Sequence, residues 1–417
     1  MTSMAGTRPD AGPAVVTGIG VAAPNGLGAK TWWDATLRGE SGIRPVREYD
    51  AAQYPSGLIG LIPDFDAASC IPGKLMPQTD RVTRLAIAAA GWALADADVD
   101  LTAYPEYATS AVTSNATGGF EFTHREIRKL WTRGRQHVSV YESFAWFYAA
   151  NTGQLSIRHG LQGPCGVLVA EQAGGADAIG HARRVLRKGS QLVLTGGMES
   201  AFDPWGLVSH ISGGLVSRAG QPDRAYLPFD VGAAGYVPGE GGAILVVESL
   251  AEARRRGAAR VYGQIAGYAA TFDPPPGSSR PPGLERAARL AMADAAAGPA
   301  DIDVVFADAA AVPALDEVEA AAITAIFGPY GVPVTTPKPL TGRLTSGSPA
   351  LDTAAALLAI RDSVVPAIAH VDRPVPGYPL DLVRGAPRAV PVRAALILAR
   401  GHGGFNSALV VRAPDLQ

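Results

Sequence analysis

Short apolar runs that end at glycine-rich turns alternate with helical patterns along this chain, and this alternation constrains the fold more than any other feature. In the first part of the chain the candidate strands are Ala14–Gly18, Thr109–Ser114, Gly166–Ala170 and Leu192–Leu194, and the candidate helices are Arg84–Ala97, Gly119–Trp131 and Ala176–Leu186. Apolar strands that alternate with helices are typical of parallel sheets covered on both faces. The sequence therefore predicts an α/β fold with largely parallel sheets.

A proline-rich segment, Ala270–Arg286, interrupts the alternation and is predicted to lack regular structure. The alternation then resumes, with helices predicted at Leu284–Ala296 and Ala350–Ile360 and strands at Val304–Phe306, Ala394–Ala399 and Ala408–Arg412. The two parts share this rhythm but no residue-level repeat. We therefore expect two pseudo-duplicated halves, residues 14–260 and 261–417, preceded by a flexible leader at residues 1–13.

Composition excludes several classes of function. The chain has 417 residues, of which 47% are hydrophobic and 18% charged, and this balance is typical of a globular protein. Its net charge of -2 provides no basic field that would attract nucleic acid or an anionic membrane. No run of about eighteen apolar residues occurs, and residues 1–13 lack the pattern of a signal peptide. With 2 cysteines and 7 histidines that show no metal-ligand spacing, we expect a cytoplasmic protein without a metal site.

Three strings, in order along the chain, resemble those of β-ketoacyl synthases. The chain opens with VVTGIGVAAPNGLG from Val15, carries FD and then GYVPGEGG between Phe229 and Gly242, and ends with GHGGFN at residues 401–406. The resemblance implies a thiolase fold, with five αβαβα layers built from two related halves. It also implies a cysteine nucleophile at a strand-to-helix turn and two histidines that stabilise the enolate formed when a malonyl thioester loses carbon dioxide.

All three reacting positions of that family hold other residues here. The cysteine position is occupied by Gln172, whose amide cannot form an acyl thioester. The two histidine positions fall on Asp308 and Arg343, and neither side chain can replace a neutral imidazole. The frame around these positions is kept at Pro313, Asp316, Glu319 and Lys338. The resemblance therefore implies a retained scaffold without condensation chemistry.

Other reactive side chains receive structural interpretations. Cys165 lies seven residues before Gln172, and we expect it to be a buried, inert thiol. His402 stands in the terminal loop, where the family usually has phenylalanine, and a structural role is favoured over a catalytic one. His124 and His181 lie on polar faces of predicted helices, which predicts that both are solvated.

Three longer strings resemble the chain length factors, or ketosynthase β subunits, of type II aromatic polyketide synthases, which serve antibiotic biosynthesis. They are AEQAGG at residues 170–175 and the segments Thr113–Trp131 and Tyr141–Gly160. The resemblance implies an obligate heterodimer with a catalytic ketosynthase α subunit, paired through the strand at residues 164–171. It implies no cofactor bound by this chain, because the phosphopantetheine of an acyl carrier protein acts through the partner.

In that family the growing polyketide extends into a tunnel at the shared interface, and one helix of the chain length factor sets its end. Phe120, Thr123 and Ile127 are spaced i, i+3 and i+7, which places them on one helix face, and the resemblance adds Trp205. The alternative is that these four residues form ordinary core. Related subunits with shorter products often carry an aromatic residue at the position of Ile127. Our hypothesis is therefore a product longer than an octaketide.

Two other functions stay open at the level of sequence. One is a malonyl-acyl-carrier-protein decarboxylase that primes the synthase, because glutamine replaces cysteine in decarboxylating ketosynthase-like loading domains. Those domains, however, keep the two histidines that are absent here. The other is an active thiolase-type enzyme with an unrecognised nucleophile.

Overall fold

The computed structural model describes residues 12–275 and 277–415, so nearly all of the predicted leader, residues 1–11, lies outside the described part. The strands are β1 Ala14–Ala23, β2 Gly26–Leu27, β3 Ile43–Pro45, β4 Leu58–Gly60, β5 Thr109–Ser114, β6 Cys165–Leu168, β7 Leu192–Glu199, β8 Gly241–Ser249, β9 Gly263–Phe272, β10 Val304–Phe306, β11 Pro333–Thr335, β12 Val364–Val365, β13 Asp381–Leu382, β14 Arg388–Ala389, β15 Ala394–Arg400 and β16 Phe405–Arg412. The α-helices are α1 Ala29–Leu37, α2 Ala67–Cys70, α3 Arg81–Ala97, α4 Phe120–Arg133, α5 Glu142–Ala145, α6 Ala150–His159, α7 Gly174–Arg187, α8 Pro204–Ser212, α9 Pro222–Ala225, α10 Leu250–Arg255, α11 Leu284–Asp294, α12 Pro313–Phe327, α13 Lys338–Thr341 and α14 Gly347–Asp362.

The two halves repeat the same strand order and the same strand directions. The order is β1-β8-β7-β5-β6 in the first half and β9-β16-β15-β10-β11 in the second, so that the last strand of each half lies beside its first. In each half the first three strands of this order pair antiparallel, and the last three strands pair parallel. The pairs Val15–Gln264 and Val16–Gly263 join β1 to β9, so the two halves form one continuous sheet. The pseudo-duplication is therefore visible in the topology although the residues do not repeat.

Although the two halves are joined through β1 and β9, helices lie between the rest of their strands and cover their outer faces. In the middle, α7 packs on β5 and β7 and also on β9 and β16, while α14 packs on β7 and β8 and also on β15 and β16. On the outside, α3 covers the first half and α11 covers the second. The order helix, sheet, helix, sheet, helix is the predicted five-layer arrangement. Apolar side chains fill both helix–sheet interfaces of the middle layer, and α14 is buried from Gly347 to Ile360.

Strand direction and the proline-rich connector differ from the prediction. The prediction of largely parallel sheets is wrong for β1, β8, β9 and β16, because the last strand of each half returns between two earlier ones, and a fully buried strand carries no sequence signal for its direction. Regular structure also enters both ends of the segment Ala270–Arg286: β9 extends to Phe272, where it pairs with Phe405, and α11 begins at Leu284. Of the described residues in this segment, only residues 273–275 and 277–283 lack helix or strand. Among the described residues, no helix is both long and apolar enough to cross a membrane.

A close approach between β1 and α3 generates a prediction about stability. A Cβ at Gly20 would lie 1.9 Å from the carbonyl oxygen of Ala89, whereas one at Gly91, on α3 itself, would meet nothing within 4 Å. We expect Gly20→Ala to destabilise the protein by about 1–3 kcal/mol or more, because helix and strand must separate. Gly91→Ala, the matched control, should stabilise it by up to about 1 kcal/mol through helix propensity. Urea denaturation measures both, and equal midpoints would contradict the packing described.

Candidate functional site

The turn that would carry a nucleophile joins β6 to α7. The chain passes through a 3₁₀ turn, Glu171–Ala173, in which Glu171 takes the left-handed φ of 48°. Gln172 is fully buried in this turn, and neither its Nε2 nor its Oε1 has a hydrogen-bond partner within the described residues. The backbone thus keeps a strained strand-to-helix turn beside a helix N-terminus, but the side chain presented there is not a nucleophile.

The two residues predicted to stand at the histidine positions of the family form a buried ion pair. Asp308 follows β10 and Arg343 follows α13, and both side chains are almost completely buried. The Nη2 group of Arg343 lies 3.0 Å from Oδ2 and 3.2 Å from Oδ1 of Asp308. Nη2 of Arg343 is therefore engaged by the Asp308 carboxylate.

Arg400, at the end of β15, fastens this ion pair to the terminal loop. Its carbonyl oxygen accepts a hydrogen bond of 2.7 Å from Nη2 of Arg343, and its backbone N–H donates to Oδ1 of Asp308 at 3.0 Å. Burial is the largest single influence and opposes the charge on Arg343, but Asp308 together with Tyr226, Glu171 and Tyr236 outweighs it and raises the pKa of the guanidinium above its usual value. Arg343 is therefore permanently protonated and cannot accept a proton.

The frame residues around the ion pair are buried and hold the backbone. Glu319 on α12 accepts the backbone N–H groups of Asp308 at 2.7 Å and of Ala309 at 2.8 Å. Burial, followed by the negative charge of Asp308, raises the pKa of Glu319 to about 7. In the second motif, Nζ of Lys338 lies 2.5 Å from Oδ2 of Asp352. These contacts position the backbone of both former histidine motifs and do not depend on a reacting group.

A cavity of about 690 Å³ opens above the ion pair. Arg343, Arg400, Tyr236 and His402 line it, and so does Glu171, whereas the adjacent Gln172 does not reach it. The backbone N–H of His402 donates to the Glu171 carboxylate at 2.8 Å, which ties the terminal loop to the nucleophile turn. The structure thus brings the three replaced positions to one place but leaves only Arg343 of the three among the residues that line the cavity.

A second group of predicted residues comes together where α4 approaches α8. Phe120 stacks on Trp205 with ring centroids 5.3 Å apart. Phe120, Thr123 and Trp205 border one cavity of about 390 Å³, and Ile127 and Trp205 border another of about 370 Å³. The buried residues of α4 are instead Phe122 and Glu126. The four residues therefore border cavities, Ile127 and Trp205 as exposed side chains and Phe120 and Thr123 as partly buried ones.

One residue beside this surface was missed from sequence, and the prediction for another was wrong. Glu126 is buried and accepts hydrogen bonds from the backbone of Ser139 at 2.8 Å and from Nζ of Lys129 at 2.7 Å, which anchors α4. His124 is half-exposed, and its Nδ1 contacts Oδ2 of Asp203, so the prediction that it is merely solvated is wrong. The sequence signal was the DPWG turn, in which an aspartate precedes a helix and therefore marks a cap.

Two other expectations for reactive side chains also need correction. Cys165 is exposed in the isolated chain, because β6 is an edge strand that pairs with β5 only. The prediction of a buried thiol is therefore wrong. His181 is half-buried on α7 and not fully solvated, and burial lowers its pKa. No three or more His, Cys, Asp or Glu side chains in the described ranges are grouped so that they could hold a metal ion.

Comparison with known families matches both halves of the chain. Residues 11–253 match the N-terminal domain of β-ketoacyl synthases, and residues 262–372 match the C-terminal domain. The chain belongs to the β-ketoacyl synthase family. The predicted thiolase fold is thereby confirmed.

Individual relatives indicate which type of subunit within the family the chain resembles. The chain is 59% identical to an actinorhodin polyketide putative β-ketoacyl synthase 2 of Streptomyces coelicolor, covering 95% of this chain and 98% of that protein. It is 56% identical to the tetracenomycin polyketide synthase ketoacyl synthase β subunit of Streptomyces glaucescens, covering 96% and 98%. A solved ishigamide ketosynthase/chain length factor is 25% identical with a TM-score of 0.87, covering 96% and 99%. Within its family, the chain is therefore a ketosynthase β subunit of the chain length factor type.

The buried ion pair generates a test of its structural role. Arg343→Met should destabilise the protein by about 3–5 kcal/mol, because it leaves the Asp308 carboxylate buried without a partner. Asp308→Asn combined with Arg343→Met should recover most of that loss, since the amide oxygen can still accept the N–H of Arg400. Denaturant unfolding of the three proteins measures the difference. A double variant no more stable than Arg343→Met would show that the two charges are not coupled.

Proposed function

We propose that this chain is the non-condensing chain length factor of a type II aromatic polyketide synthase. It pairs with a catalytic ketosynthase in the cytoplasm, and its α4–α8 surface forms one wall of the tunnel into which the polyketide grows. The phosphopantetheine of the acyl carrier protein delivers substrate to the partner, and this chain supplies the shape of the space beyond. The Streptomyces relatives, named as components of actinorhodin and tetracenomycin synthases, support a role in making compounds of that class.

The observation that best supports this proposal is the contrast between the predicted reacting positions and the α4–α8 surface. The positions predicted for the reacting residues hold the buried amide of Gln172 and an ion pair in which Asp308 and Arg343 contact each other. The four wall residues, by contrast, border open cavities, and Ile127 and Trp205 remain 37% and 41% exposed in the isolated chain. Apolar side chains with this exposure favour a surface that is completed by another molecule.

An apolar surface extends away from the wall and supports a partner subunit. Trp131 is 81% exposed on α4, Ile157 is 78% exposed on α6, and Val169, beside the β6 edge, is 45% exposed. Large exposed aromatic and aliphatic side chains beside an unpaired strand edge favour association, because each would otherwise remain in water. A ketosynthase that pairs its own equivalent strand with β6 would cover this edge and close the tunnel.

The decarboxylase alternative is less well supported by the site. Stabilising an enolate requires neutral or cationic donors that are free to bind the developing oxyanion. Arg343 stands at one of the two predicted histidine positions, and its guanidinium already donates to Asp308 and to the carbonyl of Arg400. Gln172 has an unpartnered amide, but it does not reach the cavity. The alternative therefore becomes an outcome of the test below.

Reconstitution separates the two functions. The chain is purified alone, and also co-expressed with a catalytic ketosynthase of an aromatic polyketide synthase, and each preparation receives malonyl-loaded carrier protein. We expect polyketide only from the pair and no carbon dioxide above background from the chain alone, because Arg343, at a predicted histidine position, is already held by Asp308 and the carbonyl of Arg400. Carbon dioxide release by the isolated chain that disappears in Gln172→Ala would instead establish the decarboxylase.

The wall makes a quantitative prediction about the product. Ile127→Phe should shorten the polyketide by about one extension unit, because the ring fills part of the 370 Å³ cavity that Ile127 borders. Leu290→Phe is the matched control, since Leu290 is also an exposed aliphatic residue but lies on α11, on the outer face of the other half. Mass spectrometry of products from the reconstituted pair measures both. An unchanged length distribution in Ile127→Phe would exclude this wall as the determinant, and with it the predicted product longer than an octaketide.

A further inference from the structure

The side chain of Asp203 joins two elements that carry wall residues. It caps α8, where Oδ1 accepts the backbone N–H of Gly206 at 3.0 Å and Oδ2 lies 3.3 Å from the N–H of Trp205. The same Oδ2 is contacted by Nδ1 of His124, which lies on α4. Asp203 is only 7% exposed, so this polar contact lies largely out of water. One carboxylate thus fixes the start of α8 and ties it to α4.

The same contact clamps the indole of Trp205. One part of the indole stacks on Phe120, with ring centroids 5.3 Å apart and planes inclined by 29°. The His124 ring meets the indole edge to face, with centroids 6.2 Å apart and planes inclined by 61°. Trp205 borders both the 390 Å³ cavity and the 370 Å³ cavity. Trp205 is therefore a residue that the two cavities share.

We propose that His124 and Asp203 form a positioning pair that sets the separation of α4 and α8, and through Trp205 determines where the growing polyketide stops. This inference rests on the proposed chain-length function and adds a determinant outside the four wall residues. His124 itself borders the 370 Å³ cavity, whereas Asp203 does not, so Asp203→Ser is the variant that tests action through Trp205 alone. Contact with a carboxylate is stronger and more directional than apolar packing, which is why this pair and not the ring stacking alone fixes the indole.

Two substitutions remove the contact while they keep the local fold. His124→Leu keeps a branched side chain of similar size on α4 but has no donor. Asp203→Ser keeps an N-cap oxygen for Gly206, because serine caps helices as well as aspartate does, but it is too short to reach His124. His124→Asn is the conservative variant, since its amide nitrogen occupies nearly the place of Nδ1. His137→Leu is the control, because His137 is an exposed histidine just beyond α4.

The experiment uses the reconstituted pair with malonyl-loaded carrier protein and measures product lengths by mass spectrometry. We expect His124→Leu and Asp203→Ser each to raise the ratio of longer to parent-length product by about fivefold, because the freed indole lets the two cavities merge. The double variant should match either single one, since both remove the same contact. His124→Asn and His137→Leu should retain the parent distribution. Co-purification of each variant with its partner, followed by size-exclusion chromatography, verifies that the heterodimer is intact.

The outcomes distinguish this inference from the function on which it rests. If Ile127→Phe shortens the product while His124→Leu or Asp203→Ser leaves it unchanged, the chain-length function stands and the positioning pair is rejected. If His124→Asn behaves like His124→Leu, the contact with Asp203 is not the cause, and the inference is also rejected. If neither Ile127→Phe nor the pair variants change the product, the chain-length function itself fails.

Discussion

The two halves of the molecule meet where backbone segments approach too closely for any side chain to fit between them. A Cβ on Gly175 would lie 2.2 Å from the carbonyl oxygen of Ser346, and one on Gly197 would lie 2.0 Å from the same atom. Ser346 also donates its hydroxyl to the carbonyl of Glu171 at 3.0 Å. The first half is thereby pressed onto the residue that precedes α14. This constraint places the turn between β6 and α7 independently of the side chain that follows Glu171.

The ion pair of Asp308 and Arg343 gives the predicted histidine positions a structural role. Two neutral imidazoles could point into a cavity, whereas a buried aspartate must be paired, and here Asp308 is paired with Arg343. Such a pair adds little net stability once desolvation is counted, but it fixes geometry because either partner alone would be costly to bury. Its further hydrogen bonds to the backbone of Arg400 hold the terminal loop. Functional variation in this chain is then left to side chains that face other spaces, on α4 and α8.

Local pattern predicted much of the fold, and the errors have non-local causes. Thr109–Ser114 and Val304–Phe306 match the structure residue for residue because short runs bounded by turns are self-contained signals. Helix α3 begins at Arg81, three residues before the predicted Arg84, because the Asp80 side chain accepts the N–H of Val82 and caps it earlier. The exposure of Cys165 depends on β6 being an edge strand, and that follows from a strand order no local pattern contains.

The candidate site divides in the same way. The common helix face of Phe120, Thr123 and Ile127 follows from local spacing, whereas the contact of His124 with Asp203 joins residues 79 positions apart and could not be predicted from either segment. This division has a mechanical consequence. The three α4 residues move together with their helix, which Glu126 anchors to the backbone of Ser139. The size of the wall residues does not set the distance between α4 and α8. In our proposal the contact of His124 with Asp203, which bridges these helices, sets that distance.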